Sequence, residues 1–219
     1  MEQPKNNFKI VSDKKTRMIL PNAITLIGVC IGLTSIKFAL DGKFALAIVA
    51  ILFAGLMDAL DGRIARLIKG TSKMGKELDS LGDVISFGVA PAFIMYFWNL
   101  QYLDKLGWFV CLMYVVCVAL RLARFNVNSE EVPSWKDNFF EGVPAPAGGI
   151  VVLMPLVLSF SGLGEIFFKI NYDLVVPIFF IIVSILLIST IPTYSFKRIV
   201  IPRAMTKFLL FGIVLFFGA

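Results

Sequence analysis

Apolar residues in this chain come in long runs rather than at the alternating spacing of strands or the narrow stripes of soluble helices. Such runs lie near 19–40, 43–60, 80–99, 106–126, 143–163 and 172–192. Each approaches the roughly 20 apolar residues that a helix needs to cross a bilayer. The pattern predicts an all-α integral membrane protein, a bundle of six transmembrane helices forming one core over 19–192. A seventh apolar run, 204–219, counts only 16 residues. Its length fits a tilted span, an interfacial helix or the first part of a hairpin, so 193–219 is read as a basic connection followed by a C-terminal hydrophobic segment.

The polar connections carry the orientation. The N-terminal segment holds Lys5, Lys9, Lys14, Lys15 and Arg17, and the second connection holds Arg63, Arg66, Lys69, Lys73 and Lys76. The fourth holds Arg121, Arg124 and Lys136, and the sixth holds Lys197, Arg198, Arg203 and Lys207. Only Lys37, Lys43, Lys105 and Lys169 fall on the other side. Positively charged connections stay in the cytoplasm. The expected location is therefore the cytoplasmic membrane, with the N-terminus inside. Residues 1–18 lack the apolar core of a signal peptide and read as a basic interfacial segment on the inner leaflet. The polar stretch 127–142 is expected to be a cytoplasmic loop, with Trp135, Phe139 and Phe140 at headgroup level.

Composition narrows the chemistry. The chain is 58% hydrophobic and carries a net charge of +6, a balance that fits basic loops facing anionic lipid headgroups better than nucleic acid. It contains no histidine. That excludes a Ser-His-Asp triad and histidine-held zinc or haem, leaving carboxylates, lysine, arginine or a metal ion as catalytic means. Cys30, Cys111 and Cys117 lie in apolar runs without metal-ligand spacing and read as small buried hydrophobes.

The informative segment joins the second run to the third. On a helix, Asp58, Asp61, Gly62, Ala65 and Arg66 share one stripe, at i, i+3, i+4, i+7 and i+8. Gly75, Asp79 and Asp83 share another, at i, i+4 and i+8. A tight turn near Gly70 sets the two helices antiparallel, so the stripes face each other. A single aspartate near a helix end is ordinarily a cap or a solvated group, and a lone small-residue pattern is ordinarily helix packing. Four aspartates converging at a membrane boundary instead require a counter-charge. Oxygen-only ligands suit a hard divalent cation, and four carboxylates can hold two. Glycine and alanine leave room beside the carboxylates, and Arg66 is placed for a phosphate.

The run Asp58-x2-Asp61-Gly62-x2-Ala65-Arg66-x8-Gly75-x3-Asp79-x3-Asp83 resembles the full signature of the CDP-alcohol phosphotransferases. These membrane enzymes move a phosphate-linked alcohol from a CDP-activated donor to an acceptor hydroxyl and release CMP. The resemblance implies two divalent cations, Mg2+ or Mn2+, on Asp58, Asp61, Asp79 and Asp83. It also implies Asp83 as general base, Gly62, Ala65, Arg66 and Gly75 as nucleotide-binding, a six-helix core and a homodimer.

Three further stretches, 86–91 (SFGVAP), 121–126 (RLARFN) and 142–149 (GVPAPAGG), resemble the branch of the family that transfers to L-serine from CDP-diacylglycerol. Arg121, Arg124 and Asn126 are the candidate acceptor-binding residues, although arginines at a cytoplasmic helix end also serve as plain anchors and asparagine also ends helices. Glycerol 3-phosphate and inositol phosphate remain alternative acceptors. The glycines and prolines of 142–149 either wall a pocket or reseat a helix. Pro21-Asn22-x2-Thr25 is expected at the level of the aspartates, touching the nucleotide or, at Asn22, capping a helix. A cation transporter is the distant rival. It would spread its carboxylates through the membrane depth, whereas these cluster at one boundary.

Overall fold

Residues 14 to 40 hold good helix formers and one proline, and they form a single helix, α1 (Lys14–Leu40). The computed structural model describes residues 14–68, 70, 72–128, 139–141, 143–161, 171–189 and 192–194. Pro21 lies inside α1. Asn22 is therefore well within a helix and caps nothing, contrary to one of its two expected readings. Gly42 turns the chain with φ of 74°, a conformation glycine adopts without a Cβ penalty. Beside it Lys37 pairs with Asp41 at 2.7 Å and holds that carboxyl below its usual range. The chain then returns as α2 (Phe44–Leu67).

Buried positions on α1 are Pro21, Gly28, Gly32, Ser35 and Ala39, and those on α2 include Ala47, Ala50 and Ala54. Small residues on both faces let two backbones approach closely where no aqueous hydrophobic force drives helices together. A Cβ on Gly28 would sit 3.4 Å from that of Met57.

Ser72 opens α3 (Lys73–Asp83), its hydroxyl accepting the Gly75 N–H at 2.9 Å. Such a cap satisfies one of the orphan donors of a first helical turn. The helix then widens into a π-helical turn, Val84–Val89, and continues as α4 (Ala90–Trp98). A short 3-10 turn, Leu100–Leu103, leads into α5 (Asp104–Asn128). Gly107 tucks under the Leu100 carbonyl, where any side chain would collide.

Next come α6 (Ala145–Val152), α7 (Met154–Ser161) and α8 (Tyr172–Ile188). A two-stranded antiparallel ribbon pairs β1 (Phe139–Glu141) with β2 (Pro192–Tyr194). Asn99 donates to Asp173 at 2.9 Å and fastens the start of α8 to the α4–α5 turn. At the core Tyr114 meets Phe180 edge to face, ring centres 5.3 Å apart.

Among the described residues, four helical stretches are long and apolar enough to cross a membrane: Ile19–Leu40, Phe44–Leu67, Lys73–Trp98 and Leu100–Val127. Two shorter apolar helical stretches, Ala145–Phe160 and Tyr172–Ile188, lie where the fifth and sixth runs were expected. The fifth is broken at Leu153, where α6 gives way to α7. Large apolar side chains such as Leu33, Phe53, Leu112, Val116 and Ile185 face outward. A soluble domain rarely displays so much apolar surface, and these faces suit lipid. The chain is a membrane protein, and its described residues are all-α apart from the small ribbon. Cys111 and Cys117 are buried as expected, whereas Cys30 is exposed. The interfacial reading of the first 13 residues, most of the 127–142 loop and the seventh run lie outside the described residues.

Candidate active site

Three helices build one open cleft. The α2 stripe supplies Ala54, Asp58 and Asp61, and α1 faces it with Thr25, Gly28 and Val29. The rod that begins with α3 adds Asp79, Gly82 and Asp83, then Ser86 and Phe87 from the π-helical turn. All four signature aspartates therefore line a single space. Past the end of α2 the Gly70 N–H bonds the Ala65 carbonyl at 2.9 Å, and α3 packs on α1, across the cleft from the α2 aspartates.

Carboxylate oxygens of Asp58, Asp61 and Asp79 lie within 4.8 Å of one another. That separation is about two metal–oxygen bonds of 2.1–2.4 Å laid end to end, so one hard cation can reach all three. Asp61 is the most enclosed, at 3% exposure, and accepts a 2.5 Å hydrogen bond from the Thr25 hydroxyl. The same hydroxyl lies 3.1 Å from the Pro21 carbonyl on its own helix. One oxygen of Asp83 is buried without a hydrogen-bond partner among the described residues. Three clustered carboxylates and an orphaned fourth oxygen are costly unless a cation compensates them. The donor set fits magnesium or manganese chemically: oxygen only, anionic and partly enclosed.

The remaining expected residues are placed unevenly. Among the described residues, nothing stands within 4 Å of where a Gly62 Cβ would point. Arg66 is exposed in the last turn of α2, and Ala65 is half-buried. Gly75 is hemmed in by the protein itself, since a Cβ there would lie 2.9 Å from Asn22 Oδ1 and 3.1 Å from Ser72 Oγ. Arg121 reaches from α5 close enough to Asp83 for their charges to interact, and its Nε is buried without a partner among the described residues. Arg124 turns away and donates to the Ile188 carbonyl at the end of α8, at 2.8 Å. Asn126 donates to Ser80, next to Asp79, at 2.9 Å. Of the 142–149 stretch, Gly149 lies against Phe87 and Gly148 against Leu187.

Sequence reasoning gave no role to Gly28, Gly82, Ser86 or Phe87 in the cleft. A signal existed. Gly75, Asp79, Gly82 and Ser86 recur at i, i+4, i+7 and i+11, one longer stripe than the i, i+4, i+8 series of the aspartates alone.

Four aspartates lining one cleft between long apolar helices define a membrane protein with a cluster of oxygen ligands suited to a hard cation. The chain belongs to the CDP-alcohol phosphatidyltransferase family, whose model matches residues 18–191. It is 41% identical over 188 residues to the CDP-diacylglycerol--serine O-phosphatidyltransferase of Mycobacterium tuberculosis, covering 84% of this chain and 64% of that one. A Helicobacter pylori protein of the same name is 34% identical over 181 residues, covering 83% and 74%. One from Bacillus subtilis is 34% identical over 142 residues, covering 65% and 76%. The chain spans less than two thirds of the length of the mycobacterial relatives it matches.

Proposed function

We propose that this chain transfers the phosphatidyl group of CDP-diacylglycerol to the hydroxyl of L-serine, yielding phosphatidylserine and CMP. The observation that carries the reading is the convergence of Asp58, Asp61, Asp79 and Asp83 in one cleft, together with relatives that bear this activity in their names. Asp83, with a free buried oxygen, takes the proton of the serine hydroxyl. The serine oxygen forms a bond to the lipid-linked phosphorus, and the bond from that phosphorus to the CMP oxygen breaks, its electron pair leaving with CMP. Two divalent cations, Mg2+ or Mn2+, held by Asp58, Asp61, Asp79 and Asp83, would neutralise the pyrophosphate and the departing charge. Gly62, Ala65 and Arg66 face the CDP moiety, while Gly75, packed against Asn22 and Ser72, seats the first turn of α3 beside it. Arg121 pairs with the serine carboxylate, which needs a cationic partner in a partly dry site. Asn126, bonded to Ser80 next to Asp79, flanks that position, whereas Arg124 is committed to the Ile188 carbonyl.

The same reading places six spans in the 19–192 core, with α6–α7 as the fifth and α8 as the sixth. It sets residues 1–18 on the inner leaflet of the cytoplasmic membrane, opens the cleft to the cytoplasm, and pairs two copies as a homodimer. The test is CMP release by purified protein in detergent with CDP-diacylglycerol and Mg2+ or Mn2+. Serine, glycerol 3-phosphate, inositol phosphate and no acceptor are compared side by side. Serine-dependent release that EDTA abolishes and added Mn2+ restores is the expected result. Release with another acceptor keeps the chemistry and replaces the acceptor. No metal-dependent release with any acceptor, from folded protein, returns the aspartates to the ion-pathway reading.

A further inference from the structure

The π-helical turn Val84–Val89 follows Asp83 directly and contributes Ser86 and Phe87 to the cleft. Such turns are rare and form where packing or function imposes them. Several neighbours grip this one. A Cβ on Gly32 would lie 2.7 Å from Ser86 Oγ, and one on Gly149 would lie 3.0 Å from the Phe87 carbonyl oxygen. Gly88 sits against Val118 in the same way, at 3.2 Å. These contacts are steric and set no direction.

Tyr114 of α5 does set one. Its fully buried hydroxyl donates to the Phe87 carbonyl at 2.8 Å. Pro91, four residues beyond Phe87, has no N–H to offer that carbonyl, so the phenol stands where an α-helical donor would be.

We infer that Tyr114 is a positioning residue for the transfer reaction: its hydroxyl holds the widened turn so that Ser86 and Phe87 form the floor of the cleft beside Asp83. The inference rests on reading this cleft as the reactive site. Without the hydroxyl, the buried Phe87 carbonyl loses its directional partner. The turn is then free to shift toward another donor for that carbonyl, since Pro91 offers none, carrying the floor out of line with the aspartates.

Tyr114→Phe keeps the ring against Phe180 and deletes only the O–H. Backbone hydrogen exchange across 84–90 is expected to quicken about ten-fold, the scale of one buried hydrogen bond. The kcat for CMP release is expected to fall about ten-fold or more, with KM for CDP-diacylglycerol within about two-fold, as for misplaced reacting groups. Phe180→Leu is the control. It removes the ring contact and leaves the bond to Phe87, so it should lower the melting temperature while exchange across 84–90 and kcat stay near wild type. Unchanged exchange in Tyr114→Phe overturns the inference whether or not the protein turns over. Equal losses of kcat and equal exchange in the two variants overturn it as well. Failure of the underlying reading has another signature: wild-type protein that releases no CMP with any acceptor while the exchange difference persists. That result removes the transfer role of Tyr114 and leaves a structural clamp.

Discussion

Thr25 on α1 and Asp61 on α2 are joined by a 2.5 Å hydrogen bond. The bond brings into the site a helix that carries none of the signature residues. An ionised carboxylate can only accept, and the threonine hydroxyl has one proton to give. The bond therefore fixes which way Asp61 presents its other oxygen to the cleft. Outer groups that orient a metal-binding carboxylate commonly matter nearly as much as the ligand itself.

Thr25→Val keeps the side-chain shape and deletes the donor. Mn2+ affinity is expected to drop about 10- to 100-fold, the usual cost of losing an outer partner, with folding intact. Titration followed by electron paramagnetic resonance reads this directly. Unaltered affinity would detach α1 from the ion site.

Asp83→Asn keeps the size of the side chain and removes the base. Turnover should fall by about 10²–10⁴-fold, the scale of a lost general base, while CDP-diacylglycerol binding stays measurable. Normal turnover in this variant would take Asp83 out of the proton transfer.

The two glycines of the signature should respond differently to a methyl group. Gly75→Ala pushes a Cβ against Asn22. It should cost about 1–3 kcal/mol of stability, as overpacking does, and Asn22→Ala in the same chain should recover most of that. Gly62→Ala enters open space, so its melting temperature should hold while KM for CDP-diacylglycerol rises. If Gly62→Ala unfolds the protein and leaves KM alone, the open space there is not a ligand's.

The arginines divide in the same manner. Arg121→Ala is expected to raise the serine KM about 10- to 100-fold, matching a lost charge-assisted hydrogen bond of about 1.5–3 kcal/mol. Arg124→Ala loses its bond to the Ile188 carbonyl and should cost about 0.5–1 kcal/mol of stability, since the group is exposed. Thermal unfolding and acceptor kinetics on the two variants separate these roles. A serine KM unmoved by Arg121→Ala would send the search for the carboxylate partner elsewhere.

The aspartate stripes were readable in the sequence because helical periodicity alone puts i, i+3 and i+4 on one face. The four longest spans were readable because apolar length is a local property. What escaped was tertiary. The π-helical turn has no sequence period of its own, and the phenol that bonds its Phe87 carbonyl lies 27 residues further on, at Tyr114. By sequence, Gly148 and Gly149 either wall a pocket or reseat a helix, and neither reading names the close contacts they make with Leu187 and Phe87. Arg124 followed the general rule for positive charge at a helix end, and the carbonyl it finds belongs to a helix more than 60 positions away.

The small ribbon pairs Phe139 with Tyr194 and Glu141 with Pro192. Backbone hydrogen bonds of this kind cannot reach through a bilayer of about 30 Å, so its two strands stand on one side of the membrane. The chain between Glu141 and Pro192 must then cross an even number of times. The α6–α7 stretch and α8 pass through the membrane together or not at all, a parity rule that owes nothing to counting charges. One reporter placed in the short segment between α7 and α8 distinguishes the two cases: found on the face opposite the ribbon, it fixes both crossings at once.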